Sequence, residues 1–230
     1  MSELVVSIQD KGGATRSHTC RLRQALLAGY TGRDRAKVME HIRELEKLGV
    51  TPPDRIPTIF VVPPDLITTD RALRVSGPET SGEAELYLLP TPEGLLVGVG
   101  SDHTDRAHEA IDVDESKRMC PKAVSREVWR YDDLKDHWDK VEIRSWVTDR
   151  GQRQLYQEGR LDVFLAVDDL LAELRSAGHP DLDETIVFGG TLPTHGGVVY
   201  GERFEVELRD PVLNRRLTCA YDILLPGAQA

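Results

Sequence analysis

Two carboxylates one residue apart inside an apolar run, Glu83 and Glu85 in Gly82-Glu83-Ala84-Glu85-Leu86, constrain this chain more than any other feature. Alternate side chains of an extended strand share a face, so the two carboxylates reach a common point. Leu86-Tyr87-Leu88-Leu89 continues the strand, Pro90-Thr91-Pro92-Glu93-Gly94 reads as a turn, and Leu95 to Gly100 is a second apolar run. Together they spell a β-hairpin. Asp102 follows the second strand, and an antiparallel return brings it back beside the Glu pair. Three hard anions on one spot call for a hard cation, because unneutralised they repel one another and raise their own pKa values. Each also has an ordinary reading: Glu83 and Glu85 as the wet face of an amphipathic strand, Asp102 as a turn or cap residue.

The totals narrow the class. A formal charge of -10 over 230 residues argues against nucleic acid and anionic membrane as partners. No apolar run approaches the roughly 20 residues of a membrane span, and the N-terminus lacks a signal-peptide core, so a cytoplasmic location is expected. Cys20, Cys120 and Cys219 are odd in number and widely spaced, which reads as reduced thiols rather than a disulfide or zinc framework. Cys120 has no His-Asp partner order and reads as structural.

In chain order, Glu3–Gln9 and Arg16–Leu22 read as a hairpin across Asp10-Lys11-Gly12-Gly13. Thr31-Gly32-Arg33-Asp34 resembles a capping box with Thr31 as N-cap. Val38, Met39, Ile42, Leu45 and Leu48 then follow at helical spacing as a core stripe, with Gly49 as the stop. Thr51–Pro57 is a Pro-rich joint before a strand over Thr58–Val62. A short helix is expected around Tyr131–Trp138, with Trp129 and Trp138 packing beside it. Strands over 141–148 and 153–157 pair across Asp149-Arg150-Gly151, and a helix capped by Asp168 runs to Arg175, with Gly178 past its end. Glu184–Val187 is a short strand reaching a turn at Gly189-Gly190-Thr191, and strands close the chain over 204–208 and 216–223.

These segments carry a resemblance. Gly82-Glu83-Ala84-Glu85-Leu86, the Asp102–Arg106 segment and Ser116-Lys117 are similar to the metal-site motifs of the fumarylacetoacetate hydrolase superfamily, a Glu-x-Glu strand, an Asp-x-x-x-Arg turn and a downstream Lys. Val147 to Gln154 resembles that family's Asn-Gly-x-x-x-Gln hairpin, 163–174 its helix, Gly190-Thr191-Leu192-Pro193 its Gly-Thr-Pro turn, and 201–207 its Gly-Asp-x-Val-x-Val-x strand. The order matches from about Gly82 to Leu217, as in a divergent, uncharacterised branch.

The resemblance implies a mostly β (α+β) fold, a mixed rolled, sandwich-like sheet with few peripheral helices and the metal site at its open end. It divides the chain into an N-terminal hairpin-and-helix extension (1–57) and a catalytic domain (58–230), and it implies a homodimer. Glu83, Glu85 and Asp102 would hold Mg2+ or Mn2+, with Ca2+ left open. Lys117 would stabilise charge on an oxo acid, Arg106 would take a substrate carboxylate, and Gly190 and Thr191 would offer an amide and a hydroxyl. The bland alternatives are a surface lysine, an Arg106 paired with Asp102 or Asp105, and a plain turn. His103 and His195 are the candidates for proton transfer. The family's water-activating His is missing from its expected place, where Asp65-Leu66-Ile67-Thr68-Thr69-Asp70 stands. A longer insert between the Glu pair and the Asp turn is missing too.

The implied function is a metal-dependent enzyme acting on a small 2-oxo acid or β-diketone-like carboxylate, a carbon-carbon hydrolase or a decarboxylase or isomerase. The lost His weighs toward the latter pair. A protein that keeps the fold and binds a ligand or metal without turnover is the other reading.

Overall fold

The computed structural model describes residues 2–47 and 52–227. Most strands lie in two sheets. The larger has ten strands, and its main path runs Thr15–Leu22, Ser2–Gln9, Glu127–Arg130, Gly94–Ser101, Ala84–Thr91, Thr185–Thr191, Gln24–Gly29 and Thr58–Val62. Lys122–Val124 and Ile67–Thr68 branch from this path. The second sheet orders Gln152–Arg160, Glu142–Asp149, Arg203–Asp210, Arg215–Leu224 and Ala72–Arg74. The fold is mostly β with a curled mixed sheet, as expected.

The larger sheet buries both faces, which is why its central strands read as unbroken apolar runs. Leu86, Leu88, Val97 and Val99 pack with Phe204, Leu217 and Tyr221 of the second sheet. On the other face Tyr87, Leu89 and Leu96 pack with Leu4, Val6, Leu27 and Phe188. Tyr87 sits opposite Gly98 across the hairpin, and a side chain at Gly98 would run into the Tyr87 ring. The missing side chain lets that ring lie flat and its hydroxyl donate to Ser125 O at 2.8 Å.

The hairpin pairs Ala84 with Ser101 and Thr91 with Gly94, so Asp102 emerges level with Glu83 and its amide donates to Glu83 O at 3.0 Å. The N-terminal hairpin forms as expected, and its first strand runs parallel to Glu127–Arg130 in the larger sheet. The 149–151 turn also forms, with Arg150 at φ 49 and Gly151 at φ 73, the left-handed pair that a tight two-residue hairpin needs.

Several local expectations are corrected. The helix Arg35–Lys47 is capped by Asp34, whose carboxylate accepts from the amides of Ala36 and Lys37 at 3.0 and 3.2 Å. Thr31 instead donates its hydroxyl to Gly189 O at 2.7 Å. In the apolar stripe of this helix Ile42 is buried but Met39 is exposed, and the Leu45 side chain, Leu48 and Gly49 lie outside the described residues, as does Thr51. The 131–138 segment forms two 3-10 turns, Tyr131–Asp133 and Lys135–Lys140, rather than one helix. Asp168 lies within the first turn of Val167–Ser176, whose N-cap Ala166 makes no side-chain cap. Gly189-Gly190-Thr191 is the end of a strand with a register break rather than a turn. Among the described residues no helix is long and apolar enough to cross a membrane.

Candidate functional site

The hairpin and the short helices after it gather charge at one end of the larger sheet. Glu83, Glu85 and Asp102 each offer a carboxylate oxygen, all within 4.8 Å of one another. Glu85 and Asp102 are nearly inaccessible, at 4% and 1% exposure. Glu85 accepts the Gly190 amide at 2.7 Å. That amide points at Glu85 because Gly190 adopts φ +93, and a side chain there would strike Thr31. An all-oxygen, all-anionic donor set matches hard divalent cations such as Mg2+ and Mn2+ rather than soft metals.

Three cations brace this triad. Lys117, near the end of the helix Val113–Arg118, holds its ammonium 2.7 Å from Glu83 Oε2, 2.8 Å from Asp102 Oδ2 and 3.1 Å from Thr104 Oγ1. Lys122, fully buried, lies 2.8 Å from Asp102 Oδ1 and donates to His103 O at 2.6 Å. Arg106 meets Glu83 Oε1 at 3.1 Å and Glu109 Oε2 at 2.7 Å, and donates to Ser81 Oγ at 2.7 Å.

The electrostatics follow from burial and these pairings. Burial, then the charges of Asp102 and Glu83, push the Glu85 carboxyl well up. For Asp102 burial pulls upward too, but Lys117 and Lys122 outweigh it and hold the carboxyl well below its usual range. Burial favours a neutral Lys117, yet Asp102 and Glu83 outweigh it and raise its pKa, so it stays an ammonium.

A cavity of about 950 Å3 opens over the triad, and Glu83, Glu85, Asp102 and Lys117 help to line it. Gly190, Thr191 and Glu109 also border it. Residues 30–34, Lys37, Val38 and 162–164 line it as well.

The expected residues therefore divide. Glu83, Glu85, Asp102 and Lys117 come together, and Thr191 borders the same space with its hydroxyl donating to Ala84 O at 3.0 Å. Arg106 pairs with Glu83 and Glu109, not with Asp102 or Asp105, and its guanidinium is spent on those neighbours rather than on the cavity. Asp105 caps the short helix Arg106–Glu109 through the His108 amide. His103 is fully buried, with Nδ1 2.8 Å from the Tyr221 hydroxyl, and does not border the cavity. Burial, with the Lys122 charge behind it, lowers its pKa to about 3, so the ring is neutral. His195 is exposed on a loop and also stands outside the lining.

Sequence reasoning missed Glu109, Lys122, Gln157 and Tyr30. Glu109 was legible as the residue one helical turn past Arg106. Buried Gln157 accepts the Ala84 amide at 2.9 Å and donates to Leu192 O at 2.6 Å, tying the Glu strand to the Gly-Thr segment. Nothing local marks Lys122, a lysine whose burial depends on strands far apart in the chain.

A family model described as Protein of unknown function (DUF2848) matches residues 28–221. No curated protein sequence matches the chain. Among solved structures it is similar to a protein assigned as a fumarylacetoacetate isomerase/hydrolase from Oleispira antarctica, at 17% identity and a TM-score of 0.64, covering 97% of this chain and 100% of that one. It is similar to 2-keto-3-deoxy-D-arabinonate dehydratase complexed with magnesium and 2,5-dioxopentanoate, at 16% identity and a TM-score of 0.61, covering 91% and 76%. A third is 5-carboxymethyl-2-hydroxymuconate delta-isomerase from Mycobacterium smegmatis, at 19% identity and a TM-score of 0.57, covering 94% and 87%. The chain thus has the fumarylacetoacetate hydrolase fold, and it belongs to the DUF2848 family.

Proposed function

We propose that this chain is a divalent-metal-dependent enzyme acting on a small 2-oxo acid or β-diketone-like carboxylate, of the dehydrating, decarboxylating or isomerising kind. One observation carries the reading: three carboxylate oxygens within 4.8 Å border a cavity together with a buried ammonium. Glu83, Glu85 and Asp102 would hold Mg2+ or Mn2+, with Ca2+ chemically admissible. When bound, the ion supplies Lewis-acid polarisation of the substrate carbonyl.

The chain's own residues supply the rest. Lys117 holds a positive charge beside the triad, where a fixed donor stabilises negative charge developing on a substrate oxygen. Arg106 and Lys122 act as positioning residues, one fixing Glu83 and Glu109, the other Asp102. Thr191 borders the cavity with its hydroxyl held between Ala84 O and Gln157 Nε2, which fixes the Gly-Thr segment beside the Glu strand. Hydrolysis of a carbon-carbon bond requires a base for water, and no histidine borders the cavity among the described residues. Reactions that move a proton or expel a group from an oxo acid fit the residues better. The dehydratase with magnesium and the isomerase of the same fold are consistent with this class.

The test is a panel of 2-oxo acids with Mg2+ or Mn2+, followed for product. Turnover is expected in the native chain and should fall by at least ~100-fold in Lys117→Ala, as loss of one preorganised charge donor does. Thermal stabilisation by oxo acids with no product would identify a binding protein instead.

A further inference from the structure

Tyr30 follows the strand Gln24–Gly29 with φ 57, in the left-handed region that bulky residues rarely adopt. Such a conformation persists where its surroundings dictate it, and it clusters at ligand sites. Here the dictation is visible in the next three residues. Thr31 donates its hydroxyl to Gly189 O at 2.7 Å and accepts the Leu165 amide at 2.8 Å. Gly32 bridges Phe164, and the Arg33 amide donates to Val163 O at 2.8 Å. The Arg33 guanidinium then grips Phe164 O at 2.9 Å and forks onto Asp139 at 2.8 and 3.0 Å. With 31–33 pinned on both sides, the backbone at Tyr30 turns left-handed and its half-buried side chain borders the cavity.

The phenol lies in the field of the residues around the triad. Burial, then the charge of Glu109, raises its pKa, while Lys117 lowers it. The hydroxyl therefore stays protonated and is a donor. Among the described residues it has no hydrogen-bond partner, so its proton is free for a ligand. We propose that Tyr30 donates a hydrogen bond to an oxygen of the ligand held over Glu83, Glu85 and Asp102, which makes it a recognition residue for oxygen-bearing acids at this site. The inference rests on the function proposed above and adds a lining residue from a different segment of the chain.

Oxalate, a planar dicarboxylate resembling the enol form of a 2-oxo acid, is the probe. Calorimetry measures Mg2+ binding to chelator-stripped protein, then oxalate binding to the Mg2+-loaded protein, for the native chain, Tyr30→Phe and Tyr30→Asn. Asn tolerates the left-handed backbone and so guards against a folding defect. The expected result is unchanged Mg2+ affinity and about tenfold weaker oxalate binding in both variants, the scale of one lost hydrogen bond. Unchanged oxalate affinity in Tyr30→Phe, with tight binding in the native chain, overturns the role of Tyr30 and leaves the proposed function standing. Loss of Mg2+ together with oxalate in both variants overturns it too, since Tyr30 would then act through the fold. A native chain that takes up no oxalate overturns the proposed function, and this inference falls with it.

Discussion

Lys122 Nζ lies 2.8 Å from Asp102 Oδ1 with neither side chain more than 2% exposed, an ion pair closed off behind the face of Asp102 that meets Lys117. Removing one partner of a buried pair strands the other charge, which typically costs 3–5 kcal/mol. Lys122→Met is therefore expected to destabilise the protein by about that much in urea denaturation. Combining it with Asp102→Asn should recover part of the loss, a coupling that a double-mutant cycle reads directly. Additive effects would show that the pair is not coupled.

Gly190→Ala is expected to cost about 1–3 kcal/mol, because the left-handed φ of +93 disfavours a side chain and the new methyl would meet Thr31. Gly77→Ala, where nothing lies within 4 Å of the added methyl, should shift the melting temperature far less. Equal shifts would mean that the Gly190 backbone relaxes freely.

Much of this was legible in the sequence, and the rest was hidden for identifiable reasons. The period-two spacing of Glu83 and Glu85 and the turn before Gly94 fix a hairpin, and the hairpin alone brings Asp102 level with Glu83. Those are local rules. The wall carrying Tyr30 is set by contacts of 31–33 with 163–165 and Gly189, which no local pattern encodes. The same long-range tie takes the Thr31 hydroxyl away, so Asp34 caps the helix. His103 looked available because it adjoins Asp102, yet it sits in the short link between the strands ending at Ser101 and starting at Thr104, where its ring is buried against the Tyr221 hydroxyl.

Asp210 gives the protein an acid limit. It has no exposed side chain and accepts from the Val212 and Leu213 amides at 3.0 and 3.1 Å, His137 Nε2 at 3.0 Å and Arg215 Nε at 3.2 Å. Burial pulls its pKa up, but the Leu213 amide and then His137 and Arg215 pull it further down, so the folded value is depressed. A depressed carboxyl stabilises the fold above its unfolded pKa of about 3.9, and that contribution is lost as pH falls through the folded value. Asp210→Asn should be less stable than the native chain at pH 7, with the gap narrowing below about pH 4. A gap that does not change between pH 7 and pH 3 would contradict this.

Glu85→Gln should make the metal-free protein more stable, by about 1 kcal/mol, because it removes a buried carboxyl whose ionisation burial, Asp102 and Glu83 all oppose, while the amide oxygen still accepts from Gly190. The same change should abolish stabilisation by Mg2+ in a thermal melt, so a variant that melts lower without metal would contradict the electrostatic account.

Whether the carboxylate triad is a metal site is tested by calorimetric titration of Mg2+ and Mn2+ into chelator-stripped protein, for the native chain and for Glu83→Gln combined with Glu85→Gln. Saturable one-site binding by the native chain, absent from the double variant, is the predicted result. No binding by either would mean that Lys117, Lys122 and Arg106 are the permanent partners of these carboxylates, and the proposed metal-dependent chemistry would be wrong.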